Sequence, residues 1–257
     1  SVKLNENTLE ITDQEGHCIV FNNEEKELIY FTSFLEPKNS IGFKNDTIAE
    51  EVNDPAVVYK HAELKERSMT ASEFCDAGYT ADLQECVIEI VNQEAPVSSD
   101  VIARKLLAMA GLNKMTPKLR ERCAYLVKSI EKNSGIMFTS QVLDPSSEEE
   151  GTEVIFLWKE GTEIGKVMDL YRYPAEGEKP RKACDIPVQE AACASFHLSK
   201  SQYGMPYRNL ITETGKALGF TRVPEGSDNY MLGKRAVDYC IRQELLTMDD
   251  DGFVSAL

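Results

Sequence analysis

Two phrases set about a hundred residues apart, "LAMAGLNK" at 107–114 and "KALGFTR" at 216–222, are built alike. Each runs from an apolar helix end to a glycine, a large apolar residue, a polar residue and a cation. A fixed offset of 108 residues (102 to 210, 111 to 219) pairs Ile102 with Leu210, Ala110 with Leu218, Gly111 with Gly219, Leu112 with Phe220 and Lys114 with Arg222. The glycine supplies the left-handed residue on which a helix can end. Repetition at a fixed period, with the same order of patterns around it, argues that one module occurs twice.

The pattern around the first phrase is helical. "ADLQECVIEIVNQEA" spaces Leu83, Val87, Ile90 and Val91 on one face, with Asp82 as the expected cap and Pro96 as the stop. "SSDVIARKLLAMAGL" follows from a Ser or Asp cap to Gly111. "PKLRERCAYLVKSIEKNSG" opens on proline and turns Leu119, Cys123, Leu126, Val127 and Ile130 to one side. Two β-runs, "IMFTSQVLD" and "TEVIFLWK", come next around an acidic loop. Three helices followed by a hairpin is the order of a winged helix. The second copy repeats it, with "NYMLGKRAVDYCIRQELL" as third helix and "TMDDDGFVSAL" as a shortened hairpin.

Before the repeats, "TLEIT", "HCIVFN" and "ELIYFTSFL" alternate in period two and predict a small meander, followed by a short helix near residue 70. The expected fold is therefore α+β: a β-rich N-terminal region over 1–80, a winged-helix-like repeat over 81–160, a Pro/Gly-rich linker over 161–183 and a second winged-helix-like repeat over 184–257. Ser1 in place of methionine points to a piece cut from a longer chain.

The stretches "IVNQEAPVSSDVIARKLLAMAGLNK", "FLW" and "CDIPVQE … LITETGKALGFTR" resemble an uncharacterised bacterial domain found at the C-terminal end of very large superfamily one helicase-like proteins. The resemblance covers about residues 82–257, and its motifs are signatures of a helix-turn-helix unit. It implies an accessory region working beside a helicase or nuclease part, with DNA and the remainder of the parent protein as partners. Neither motor motifs nor a nuclease constellation occurs in this chain.

Enzyme chemistry finds little support in the residues themselves. A GxxxxGK[ST] phosphate loop is absent. Seven cysteines, without a CxxC pair, fit reduced thiols in the cytoplasm better than a disulfide framework or zinc site. His17, His61 and His197 lie far apart, and Cys193 with His197, one helical turn away, reads as packing. No apolar run is long enough to span a bilayer. We expect no catalytic residue, no metal, no cofactor and no membrane partner.

Charge gives the positive lead. The formal net charge is −15, yet residues 101–132 carry eight Lys/Arg against two Glu, while the first 80 residues are strongly acidic. With its apolar stripe turned inward, the first copy's third helix should project Lys118, Arg122, Tyr125 and Lys128, with Lys114 and Arg120 close by. In the second copy the same logic selects Lys234, Arg235 and Arg242, with Arg222 at the turn. Such a helix lies in the major groove in helix-turn-helix proteins, its cations on phosphates or guanine edges. A basic helix face also suits plain solvation, and winged helices serve as protein adapters, so an interaction or scaffolding role stands as the alternative.

Overall fold

An apolar stripe marks each long helix; those opening after Ser98 and Ser227 carry a hydroxyl cap, whereas those opening after Tyr79, Pro187 and Pro206 have no side-chain cap. In a computed structural model, residues 55–130, 134–142 and 153–257 are described in full, together with three backbone strands before residue 55. Ser1–Glu51 and Val52–Leu257 form separate units. The first holds β1 (Val2–Leu4), β2 (Thr8–Thr12) and β3 (Cys18–Asn22), an antiparallel sheet in that order, with Leu9 opposite Leu4 and Phe21. The run "ELIYFTSFL", expected as a third strand, lies outside the described residues.

The second unit mixes helix and strand, so the α+β class holds. After β4 (Ala56–Val58) and a short α1 (Ala71–Cys75) comes α2 (Thr80–Glu94). Asp82 does not cap it. A 3-10 turn over Ala77–Tyr79 runs straight into the helix and is itself capped by Asp76, whose carboxylate accepts from the Gly78 amide at 2.7 Å. Asp82 sits in the first turn, where a negative charge favours the helix N-terminus, and pairs with Arg67 at 3.0 Å. Then follow β5 (Val97–Ser98), α3 (Ser99–Met109) and α4 (Pro117–Ile130). Ser98 caps α3 through the Val101 amide at 3.1 Å, and Thr116 accepts from Leu119 at 3.3 Å in the first turn of α4. Next come β6 (Met137–Val142) and β7 (Glu153–Trp158), antiparallel, with Met137 opposite Trp158 and Val142 opposite Glu153.

The later half has the same order. After β8 (Tyr171–Tyr173) come α5 (Val188–Ser201), β9 (Met205–Pro206), α6 (Tyr207–Ala217), α7 (Asp228–Arg242), β10 (Leu246–Met248) and β11 (Phe253–Ala256). The sheets match strand for strand: β5–β7–β6 in one half, β9–β11–β10 in the other. In each, the short strand between the first two helices pairs antiparallel with the last strand of the hairpin. Helices α3 and α6 end alike. The Leu112 amide reaches back to the Leu107 carbonyl at 2.8 Å and Phe220 to Gly215 at 3.1 Å, across Gly111 and Gly219 at positive φ.

Each half has its own core. Leu83, Ile90, Ile102, Leu106 and Leu126 are fully buried in the first, Leu210, Ile211, Leu232 and Val237 in the second. Strand β7 is packed on both faces toward its C-terminal end, successive side chains pointing to opposite sides. Leu157 joins the helical core, while Val154, Phe156 and Trp158 face the connecting segment through Ile164 and Met168.

The connection between halves is a buried charge cluster. Strands β4 and β8 pair in parallel with Val57 opposite Arg172, and the Arg172 guanidinium lies over the Tyr59 ring, 5.1 Å from its centroid. Glu190, on α5 and wholly buried, accepts from Arg172 Nη2 at 2.6 Å and from Arg181 Nη2 at 2.5 Å. The remaining N–H groups of the Arg172 guanidinium donate to carbonyls at and just beyond the end of α2, to Glu94 at 2.6 Å and to Pro96 at 2.8 Å, where a cation also suits the helix C-terminus. Burial would raise the Glu190 pKa, but the two guanidiniums override it and hold the carboxyl at about 2. Glu94, also fully buried, accepts from Tyr59 Oη and from Lys105 Nζ at 2.7 Å. Asp185 adds a further tie, accepting from Ser98 at 2.7 Å and from Arg104.

Candidate nucleic-acid interface

Helix α4 buries Leu119, Cys123, Leu126, Val127 and Ile130, the stripe its spacing predicts. That orientation leaves Lys118, Arg120 and Lys128 exposed, and Lys114 is exposed in the preceding turn. Among the described residues these four make no ion pair. Arg120, Ala124 and Lys128 fall at i, i+4 and i+8, so they form one row along the helix. Glu121 interrupts the face beside it.

Arg122 behaves differently. Its Nε donates to the Phe74 carbonyl at 3.2 Å and its Nη2 to the Asp76 carbonyl at 2.9 Å and the Thr80 hydroxyl at 2.8 Å. The guanidinium thus stitches α4 to the α1–α2 corner and is turned toward its own half, with Tyr125 beside it at 5.5 Å.

The row Arg120–Ala124–Lys128 forms one lip of a cleft of about 480 Å³ between α4 and the β6–β7 hairpin. Its floor is apolar: Ala103, Met115, Cys123, Val127, Phe138 and Ile155. Ser99 and Asp100, at the start of α3, close one end. Burial lifts the Cys123 thiol to about 11, so it acts as an apolar wall and not a nucleophile.

Of the second half's four cations, three are engaged within the chain. Lys234 lies 2.9 Å from Asp238. Asp238 also accepts from Tyr207 Oη at 2.5 Å. Arg235 reaches the Val142 carbonyl of β6 at 3.5 Å, and Arg242, exposed, lies over the Tyr239 ring at 5.8 Å. Arg222 is exposed at the turn before α7, its carbonyl taking the Asn229 amide at 3.2 Å. The nine cations chosen from the sequence therefore do not form one surface. Lys114, Lys118, Arg120 and Lys128 share the first half's third-helix region, whereas α7 is partly turned against β6 and the linker, where Tyr239 Oη donates to Gly165 at 2.7 Å.

Sequence reasoning missed the cleft and Tyr207. The cleft depends on how far the hairpin stands off α4, which no local pattern encodes. Tyr207 carried a usable signal, since it occupies the place of Ser99 at the offset of 108. Elsewhere on the first half, a wider cleft of about 930 Å³ is bordered by Glu63, Glu85, Glu89 and Glu178. Its carboxylates oppose a polyanion.

Among the described residues, no group of three or more His, Cys, Asp or Glu is placed to hold a metal. No helix is long and apolar enough to cross a membrane. Cys193, beside His197 on α5, is fully buried with its thiol raised to about 12 by burial. No curated protein and no solved structure matches the chain. Residues 72–121, from α1 into the first turns of α4, match a family described as Protein of unknown function (DUF3320), so an uncharacterised domain occupies that stretch.

Proposed function

We propose that the chain is a non-catalytic accessory region of a larger helicase-like protein and binds DNA through winged-helix-like modules, with the first module making the phosphate contacts. The observation that carries this reading is the set of exposed cations Lys114, Lys118, Arg120 and Lys128, without ion pairs among the described residues, on and before the third helix. The helix and strand order of each half supports it, because in such modules that helix enters the major groove. The net charge of −15 makes the contact local, and the carboxylate-lined cleft orients the duplex toward α4.

Fluorescence anisotropy with a labelled duplex tests it. Affinity should fall steeply as salt rises, and each of Lys118→Ala, Arg120→Ala and Lys128→Ala should weaken binding and lower the salt slope by about one. Absence of binding at low salt ends the proposal. The apolar cleft favours a second reading, a protein-interaction module docking on the remainder of the parent chain. A stable complex between this chain and that remainder would support it.

A further inference from the structure

The two halves share their order of helices and strands, and the difference that bears on the cleft lies at the start of the second helix of each. The buried stripe Cys123, Leu126, Val127, Ile130 of α4 matches Gly233, Ala236, Val237, Cys240 of α7 in spacing and burial. With those aligned, Ala124 corresponds to Lys234, Lys128 to Asp238 and Arg120 to Tyr230. Ser99 and Tyr207 are the first residues of α3 and α6. In the second half, Tyr207 therefore extends from the start of α6 across to α7, its hydroxyl 2.5 Å from the Asp238 carboxylate. Its ring packs against that half's core. In the first half the same place holds only Ser99, and the space between α3, α4 and the hairpin is the open cleft of about 480 Å³.

We infer that the first half's cleft accepts an aromatic side chain from an acidic segment of a partner protein, in the way Tyr207 fills the second half. Three observations select this occupant. The floor is apolar, and Ile155 on it stays 40% exposed, so a ring placed there would bury surface now in contact with water. The second half shows that an aromatic ring suits this place in the fold. The lip carries Arg120 and Lys128 where the second half has Tyr230 and Asp238, which attracts carboxylates flanking the ring. This inference does not rest on DNA binding, although both use Arg120 and Lys128.

The test uses the full chain and two fluorescein-labelled peptides of Asp, Glu and Gly, one with a central tyrosine and one with glycine in its place. The tyrosine peptide should bind about tenfold more tightly, as expected for an aromatic anchor in a pocket. Ser99→Tyr should reduce that affinity by about tenfold, because the chain then supplies its own ring. Ile155→Ser, at an exposed position outside the core, should weaken it as well, and thermal melts of both variants confirm that the fold is kept. Equal binding of the two peptides, or unchanged affinity in Ser99→Tyr and Ile155→Ser, overturns the inference. Binding of duplex DNA without the tyrosine peptide overturns it while leaving the proposed function standing. Binding of the tyrosine peptide alone does the reverse.

Discussion

At the scale of single residues, a cation's worth depends on what its donors already hold. Arg122 and Arg120 are two positions apart on α4, and composition treats them alike. Arg120 is exposed, whereas Arg122 holds the Phe74 and Asp76 carbonyls and the Thr80 hydroxyl. Arg122→Ala leaves three acceptors short of a charged donor, and hydrogen bonds of that kind contribute about 2 kcal/mol net. Urea denaturation should show a loss of that order, and under the proposed DNA-binding role the affinity for duplex should stay nearly unchanged, while Arg120→Ala should do the opposite. The sequence made both residues visible as candidates. It could not rank them, because the ranking depends on a corner more than forty residues upstream.

Elements were legible where a stripe, a cap and a breaker agree, as in α3, which starts after Ser98 and ends before Gly111. They were less legible where a neighbour decides. Gly111 and Gly219 look interchangeable in sequence, and both lie at positive φ, +72° and +96°. A β-carbon at Gly111 would meet nothing within 4 Å, whereas at Gly219 it would lie 2.3 Å from Pro174 Cδ. Alanine at the first should cost about 1 kcal/mol, the penalty of a left-handed residue. Alanine at the second adds overpacking against a rigid ring, for about 3 kcal/mol in all. Denaturant midpoints of Gly111→Ala and Gly219→Ala measure the difference directly. Equal losses would mean that the Pro174 ring gives way, and the linker would then be looser against the second half than its packing indicates.

At the scale of the molecule, the repeated order of helices and strands was readable, but the joint between the halves was not. Glu94, Arg172, Arg181 and Glu190 are spread over about a hundred residues, and charge in a sequence reads as surface until the fold buries it. Glu190 is the informative member. Its folded pKa, about 2, lies below the ordinary 4.5, so the unfolded chain takes up the proton first. The stabilisation is therefore complete above about pH 4.5 and is lost as pH falls from there toward 2. Glu190→Gln keeps the shape but leaves Arg172 and Arg181 facing a neutral amide. Removing one partner of a buried pair costs about 3–5 kcal/mol at neutral pH. Urea midpoints followed from pH 7 to pH 2 should show wild type losing stability over the acid range and the variant starting lower with a shallower decline. Parallel curves would place the acid sensitivity elsewhere. A variant that melts in two steps would show that this carboxylate is what makes the halves unfold as one.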